Sequence, residues 1–148
     1  MERLPSWLLT QTAAYAGRLV GEGFAAVGAR GYHYRLLTSL LADGPASQAG
    51  LGRRTGIHLS DMVAALNELE ADGYIARKPD KADKRRNVIT VTDLGRERAA
   101  ELSGRADAVQ EELLEPLSGP ERAELTTLLA KLYEHHHARQ GFPPLSKM

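Results

Sequence analysis

The chain contains no cysteine, which excludes disulfides, thiolate metal sites, cysteine nucleophiles and thiol-based peroxide sensing. Its apolar runs are only a few residues long, far short of the roughly 18 needed to span a bilayer. Near the start, Glu2, Thr10 and Gln11 interrupt the stretch where a signal peptide would need unbroken apolar residues. A soluble, cytoplasmic protein is therefore expected, with no membrane partner. No glycine-rich phosphate loop, nucleophile elbow or zincin motif is present, so neither an enzyme nor a cofactor is expected. His135, His136 and His137 point in different directions on a helix and cannot chelate one metal as a face, since useful helical pairs need i, i+4 spacing. Net charge is absent too: 19 Lys and Arg balance 19 Asp and Glu, and the total says nothing about partners.

At 148 residues and 16.1 kDa the length fits one domain, or a small domain with extensions. Glycine, proline and polar pairs cut it into pieces of helical length. A first helix runs from about Pro5 to Val27, carrying Leu8, Leu9, Tyr15, Leu19, Val20 and Phe24 at mixed three- and four-residue spacing. A second spans about Tyr32 to Ala42 and stops at Asp43-Gly44-Pro45. A third begins at the N-cap candidate Ser47 and ends by Gly56, and a fourth follows from about Leu59 to Asp72. Tyr74–Arg77 and Val88–Val91 are short and β-prone, with a charged tip between them. Beyond Thr92-Asp93 a long helix is expected to reach Leu117, and Ser118-Gly119-Pro120 separates it from a last helix bearing Leu125, Leu128, Leu129 and Leu132. The tail Gly141–Met148 is expected to be disordered.

Four helices, a hairpin and two helices make a mainly α fold. Two short helices around a glycine turn form a helix-turn-helix, and the hairpin directly after them makes it winged. Residues 32–95 are assigned to this winged helix-turn-helix, and residues 1–31 and 96–140 to a helical dimerisation region. The predicted helix Thr92–Leu117 has 26 residues and would be about 39 Å long, against a radius of gyration near ~15 Å for a chain of this size. Its apolar stripe needs more cover than one chain supplies, so a homodimer is expected.

Charge is unevenly distributed. Residues 77–87 hold six basic side chains against two acidic ones, a net of +4, whereas residues 99–137 hold three against eight, a net of −5. Positive charge concentrated on one protrusion attracts a phosphate backbone through counterion release. The fourth helix is the recognition candidate. Met62, Ala65, Leu66 and Leu69 mark its core face, leaving Ser60, Ala64, Asn67 and Ala71 opposite, with Asp61 and Val63 on the flanks. Ser60 can serve a base edge or a phosphate, Asp61 can accept from cytosine, Ala64 can pack on a thymine methyl, and Asn67 can bond a phosphate or an adenine edge. Helix capping is an equal alternative for Asp61, and an ordinary exposed polar residue the better reading of Asn67. Arg53 and Arg54 are placed for backbone phosphates, and Lys84, Arg85 and Arg86 for phosphate and minor-groove contacts. Asp83 is expected to orient a neighbouring arginine such as Arg77. The helix carries no Lys or Arg at all between residues 55 and 76.

Leu66-Asn67-Glu68-Leu69-Glu70-Ala71-Asp72-Gly73-Tyr74-Ile75-Ala76-Arg77, then Asp83-Lys84-Arg85, then Val88-Ile89-Thr90-Val91-Thr92-Asp93-Leu94-Gly95, resemble the recognition helix, D-x-R wing and wing exit of the MarR family of winged helix-turn-helix regulators. The resemblance implies a homodimer on double-stranded, pseudo-palindromic operator DNA, often a repressor released by a small, frequently phenolic, effector. By position, Trp7, Tyr15, Tyr32 and His33 are the effector-binding candidates, although aromatics at such spacing are more often core or dimer contacts. A ligand-binding or protein-interaction module without DNA affinity is the alternative that the uncharged fourth helix leaves open.

Overall fold

The computed structural model of the protein describes residues 3–140. The expected tail, residues 141–148, lies outside the described residues. The elements run α1 (Pro5–Ala25), α2 (Gly31–Asp43), α3 (Gln48–Thr55), α4 (Leu59–Ala71), β1 (Ile75–Pro79), β2 (Asn87–Val91), α5 (Asp93–Leu113) and α6 (Gly119–Arg139). They fall into two compact units, residues 1–110 and 111–148. No helix among the described residues is long and apolar enough to cross a membrane.

Local chemistry explains the boundaries in the first unit. Ser47 caps α3, its hydroxyl accepting from the Gly50 amide at 3.1 Å. Gly56, at φ +67°, ends α3 in the left-handed conformation that glycine adopts without steric cost, and so makes the tight turn into α4. Here the structure differs from the sequence reading. His58, not Asp61, is the N-cap of α4, with Nδ1 accepting from the Ser60 amide at 3.3 Å. Gly73, at φ +79°, turns the chain from α4 into the wing.

The core sits under the helix-turn-helix. Leu36, Leu37 and Leu40 of α2, Leu51 of α3, Ile75 and Ile89 of the wing, and Leu102 of α5 meet the predicted α4 face of Met62, Ala65, Leu66 and Leu69, all of them buried. Each large aliphatic side chain so buried contributes about 1.5–3 kcal/mol. β1 and β2 pair antiparallel from Ile75–Val91 out to Pro79–Asn87, extending the hairpin further toward its tip than its apolar residues alone indicate. Ala46 adds a short third edge: its amide donates to the Ile89 carbonyl at 3.3 Å and its carbonyl accepts from the Ile89 amide at 2.8 Å. The wing is thereby tied to the start of the helix-turn-helix.

α5 ends at Leu113, four residues short of the predicted Leu117. Pro116 has no amide hydrogen and disfavours a helical residue before it, so residues 114–117 form a turn. The helix is 21 residues long and about 31 Å by its rise. In the second unit, Ser118 and Glu121 form a reciprocal capping box at the start of α6, and Arg122 reaches both Glu111 carboxylate oxygens at 2.9 Å.

Candidate nucleic-acid interface

α4 turns its core face inward and leaves Ser60, Val63, Ala64, Asn67 and Ala71 exposed. These side chains are short, which lets a helix approach base edges closely. Beside them lies an open slot of about 480 Å³ between the start of α3, α4 and the wing, lined among others by Ser47, Gln48, Val63, Asn67, Arg77 and Arg86. Asn67 and Arg86, two predicted contact residues, thus share one concave surface.

The missing cations of α4 are supplied by other elements. Arg30, in the turn before α2, donates to Glu68 Oε1 at 2.8 Å. His33, buried in the first turn of α2, meets Glu68 Oε2 at 2.6 Å. The Arg30 amide donates to His33 Nδ1 at 3.1 Å, so Nδ1 is the acceptor and the Nε2–H donates to the Glu68 carboxylate. Burial pushes the Glu68 pKa upward, but the hydrogen bond from His33 and the charge of Arg30 outweigh it and hold the carboxyl below its ordinary value. Arg77 of β1 donates to Glu70 Oε1 at 3.2 Å and to Asn67 Oδ1 at 3.1 Å. Two of the carboxylates that would repel phosphate are therefore paired with cations at the base of the helix. No periodicity predicts these partners, and Glu68, Glu70 and Arg30 were not singled out from sequence.

The remaining predicted residues separate into two groups. The side chains of Arg53, Lys84 and Arg86 are exposed and make no hydrogen bond with the described residues. Arg54 instead reaches back to the Gly44 carbonyl at 2.7 Å, bracing the α2–α3 turn. Arg35 likewise donates to the carbonyl of Thr55, so both arginines brace the helix-turn-helix from within. Asp83 does orient an arginine, but it is Arg85 rather than Arg77: Oδ1 accepts from the Arg85 backbone amide and from Nε, both at 3.1 Å. The side-chain and backbone bonds from Arg85 lower the Asp83 pKa. Arg85 stays 90% exposed at the wing tip, oriented yet available.

The effector candidates are not gathered into one site. Trp7 and Tyr15 lie exposed along α1, with the Arg18 guanidinium 5.1 Å from the Tyr15 ring. Tyr32 and His33 sit instead against α4, the Tyr32 hydroxyl 3.4 Å from Asp61 Oδ2. Phe24 and Tyr34 pack together in the core at 5.5 Å.

A short helix, a glycine turn, a second helix with a small-residue outer face and a basic hairpin define a winged helix-turn-helix protein. Residues 29–86 match the model of the MarR family. The uncharacterized HTH-type transcriptional regulator YdgJ of Bacillus subtilis is 28% identical over 116 residues, covering 78% of this chain and 71% of its own. Among solved structures, BpsR of Bordetella bronchiseptica, whose DNA binding is regulated by 6-hydroxynicotinic acid, aligns with a TM-score of 0.78 at 20% identity, over 90% of this chain and 96% of its own. A cysteine-to-serine variant of MarR from E. coli, complexed with operator DNA, aligns with a TM-score of 0.73 at 21% identity, over 86% and 91%. These two likenesses establish the fold. Over its winged helix-turn-helix, residues 29–86, the chain is thus similar to the MarR family of regulators.

Proposed function

We propose that the protein is a homodimeric repressor that binds pseudo-palindromic operator DNA and is released by a small effector. The observation that carries this reading is a wing of net charge +4 beside a recognition helix whose Glu68 and Glu70 are already paired with cations. Such a surface meets phosphate without the self-repulsion that the α4 sequence alone suggests. Arg53, Lys84, Arg85 and Arg86 would contact the backbone and minor groove, and Ser60, Asp61, Ala64 and Asn67 the bases.

Two-fold pairing is supported by uncovered apolar side chains on two helices. α1 exposes Trp7, Leu8 and Tyr15, with Leu4 just before it, and α6 exposes Leu128, Leu129, Leu132 and Tyr133. A dimer would place two α4 helices on half-sites one helical turn apart, about 34–36 Å. Release by effector is supported by the contacts of Tyr32 and His33 with α4: a small aromatic ligand that shifts either residue would shift the recognition helix directly. The regulation of BpsR by 6-hydroxynicotinic acid and the operator complex of E. coli MarR are precedents on this fold.

The test is nuclease footprinting of the purified protein on the DNA upstream of its own gene, followed by titration at several salt concentrations. An inverted repeat should be protected, and affinity should fall steeply with salt. Weak, salt-insensitive binding with no protected repeat would instead identify a ligand- or protein-binding module.

A further inference from the structure

The contact between Arg77 and Asn67 decides which half of the Asn67 amide faces outward. A guanidinium has five donors and no acceptor. The Asn67 atom 3.1 Å from Arg77 Nη1 must therefore be the carbonyl oxygen, and the orientation of the amide, ambiguous in most asparagines, is settled here by chemistry. Arg77 is itself held. Its side chain is only 23% exposed, its backbone pairs with Ile89 in the wing, and the same Nη1 is anchored to Glu70, which lies three residues from Asn67 on the same side of α4. With Oδ1 tied to Arg77, the Nδ2 hydrogens are the end of the amide left for the slot that Asn67 lines.

We propose that Asn67 is a specificity-determining residue and Arg77 its positioning residue, together selecting a keto base, guanine or thymine, over an amino base at one position of each half-site. This deepens the DNA-binding reading and rests on it. In the major groove, guanine presents O6 and N7 and thymine presents O4, all acceptors, whereas cytosine presents only an N4 donor and adenine places an N6 donor beside N7. An outward NH2 group meets the keto bases with a hydrogen bond and the amino groups with donor against donor. The two-bond reading of adenine by asparagine needs Oδ1 and Nδ2 side by side on the base. Arg77 holds Oδ1 out of that alignment. The wing thus acts on base selection without touching a base, by fixing the rotation of a side chain on α4.

The test uses the full-length protein and a duplex panel built on the sequence it enriches from random DNA, with each half-site position changed to all four bases and affinities measured by fluorescence anisotropy. One position should favour guanine or thymine over cytosine and adenine by about tenfold, the scale of one good base contact. Asn67→Asp, which retains an acceptor for Arg77 but turns a second acceptor outward, should invert that preference toward the amino bases. Asn67→Ala should flatten it. Arg77→Met should erode the preference at this position while leaving the others ranked as before, a pattern that a general loss of folding does not produce. Equal losses across every duplex for Asn67→Ala, or an adenine preference that depends on Asn67, would overturn the assignment while leaving DNA binding intact. Failure of the wild-type protein to enrich any duplex would overturn the DNA-binding reading itself, and this inference with it.

Discussion

Replacing Gly95 by alanine sets two effects against each other whose sizes can be worked out. Gly95 lies buried in the first turn of α5, where the helix passes closest to the wing. An added Cβ would stand 2.0 Å from the Tyr74 carbonyl oxygen and 2.7 Å from Val91 Cγ1. Ordinary contacts begin at 3.4 Å, so backbone on one side must retreat by more than an ångström. The same junction is held by Thr92, whose hydroxyl donates to the Gly73 carbonyl at 2.6 Å and accepts from the Gly95 amide at 3.0 Å. Overpacking of this kind costs about 3 kcal/mol, the upper part of the usual range, because the obstacle is backbone. Alanine recovers about 1 kcal/mol of helix propensity over glycine. The expected net is a loss of about 2 kcal/mol, or a Tm lower by roughly 4–8 °C for a chain of this length. Gly104→Ala is the internal control: it lies on the same helix, exposed, with nothing within 4 Å of its added Cβ, and should gain about 0.5–1 kcal/mol. Urea unfolding of the two variants at matched protein concentration should move the midpoints in opposite directions. A Gly95→Ala protein as stable as Gly104→Ala would show that the wing and α5 are not in close contact.

Four further outcomes follow from the structure. Glu68→Ala removes the acceptor of buried His33 and should destabilise by about 1–3 kcal/mol, whereas Glu68→Gln retains an oxygen and should lose less; equal effects in denaturant titrations would count against the tether. Because the native-state pKa values of Glu68 and Asp83 are lowered, the stabilisation from each carboxylate is present above its unfolded pKa and is lost as pH falls through the lower native value. Carboxyl carbon shifts followed by NMR should accordingly give midpoints under the ordinary 4.5 and 3.8, and ordinary midpoints would refute the pairing. Arg85→Ala should weaken operator binding by about 1–3 kcal/mol and reduce the salt slope by about one, with anisotropy as the readout and unchanged affinity as the contrary result. Leu128→Glu combined with Leu132→Glu on α6 should yield a monomeric mass by light scattering if this face pairs the two copies, and a persisting dimer would locate the interface elsewhere.

Much of this protein is written in local pattern. The buried face of α4, the Ser47 cap, the glycine turns and the basic wing are all legible because burial repeats with the helical period and capping acts within a few residues. Even the end of α5 at Leu113 had a local signal in Pro116, outweighed in reading by the leucine stripe that continues past it. The partners of individual polar groups carry no such trace. Glu68 meets Arg30 across 38 residues and Asn67 meets Arg77 across ten, and Arg54, basic like Arg53 beside it, is spent inside on the Gly44 carbonyl. Such pairs depend on where two packed elements place their side chains relative to each other. Sequence alone therefore determined that a small-faced helix and a charged hairpin would form; only the tertiary structure decided that Glu68 and Glu70 of that helix would be paired with cations from outside it, because hydrogen bonds and ion pairs act over a few ångströms and those distances exist only once the chain has folded.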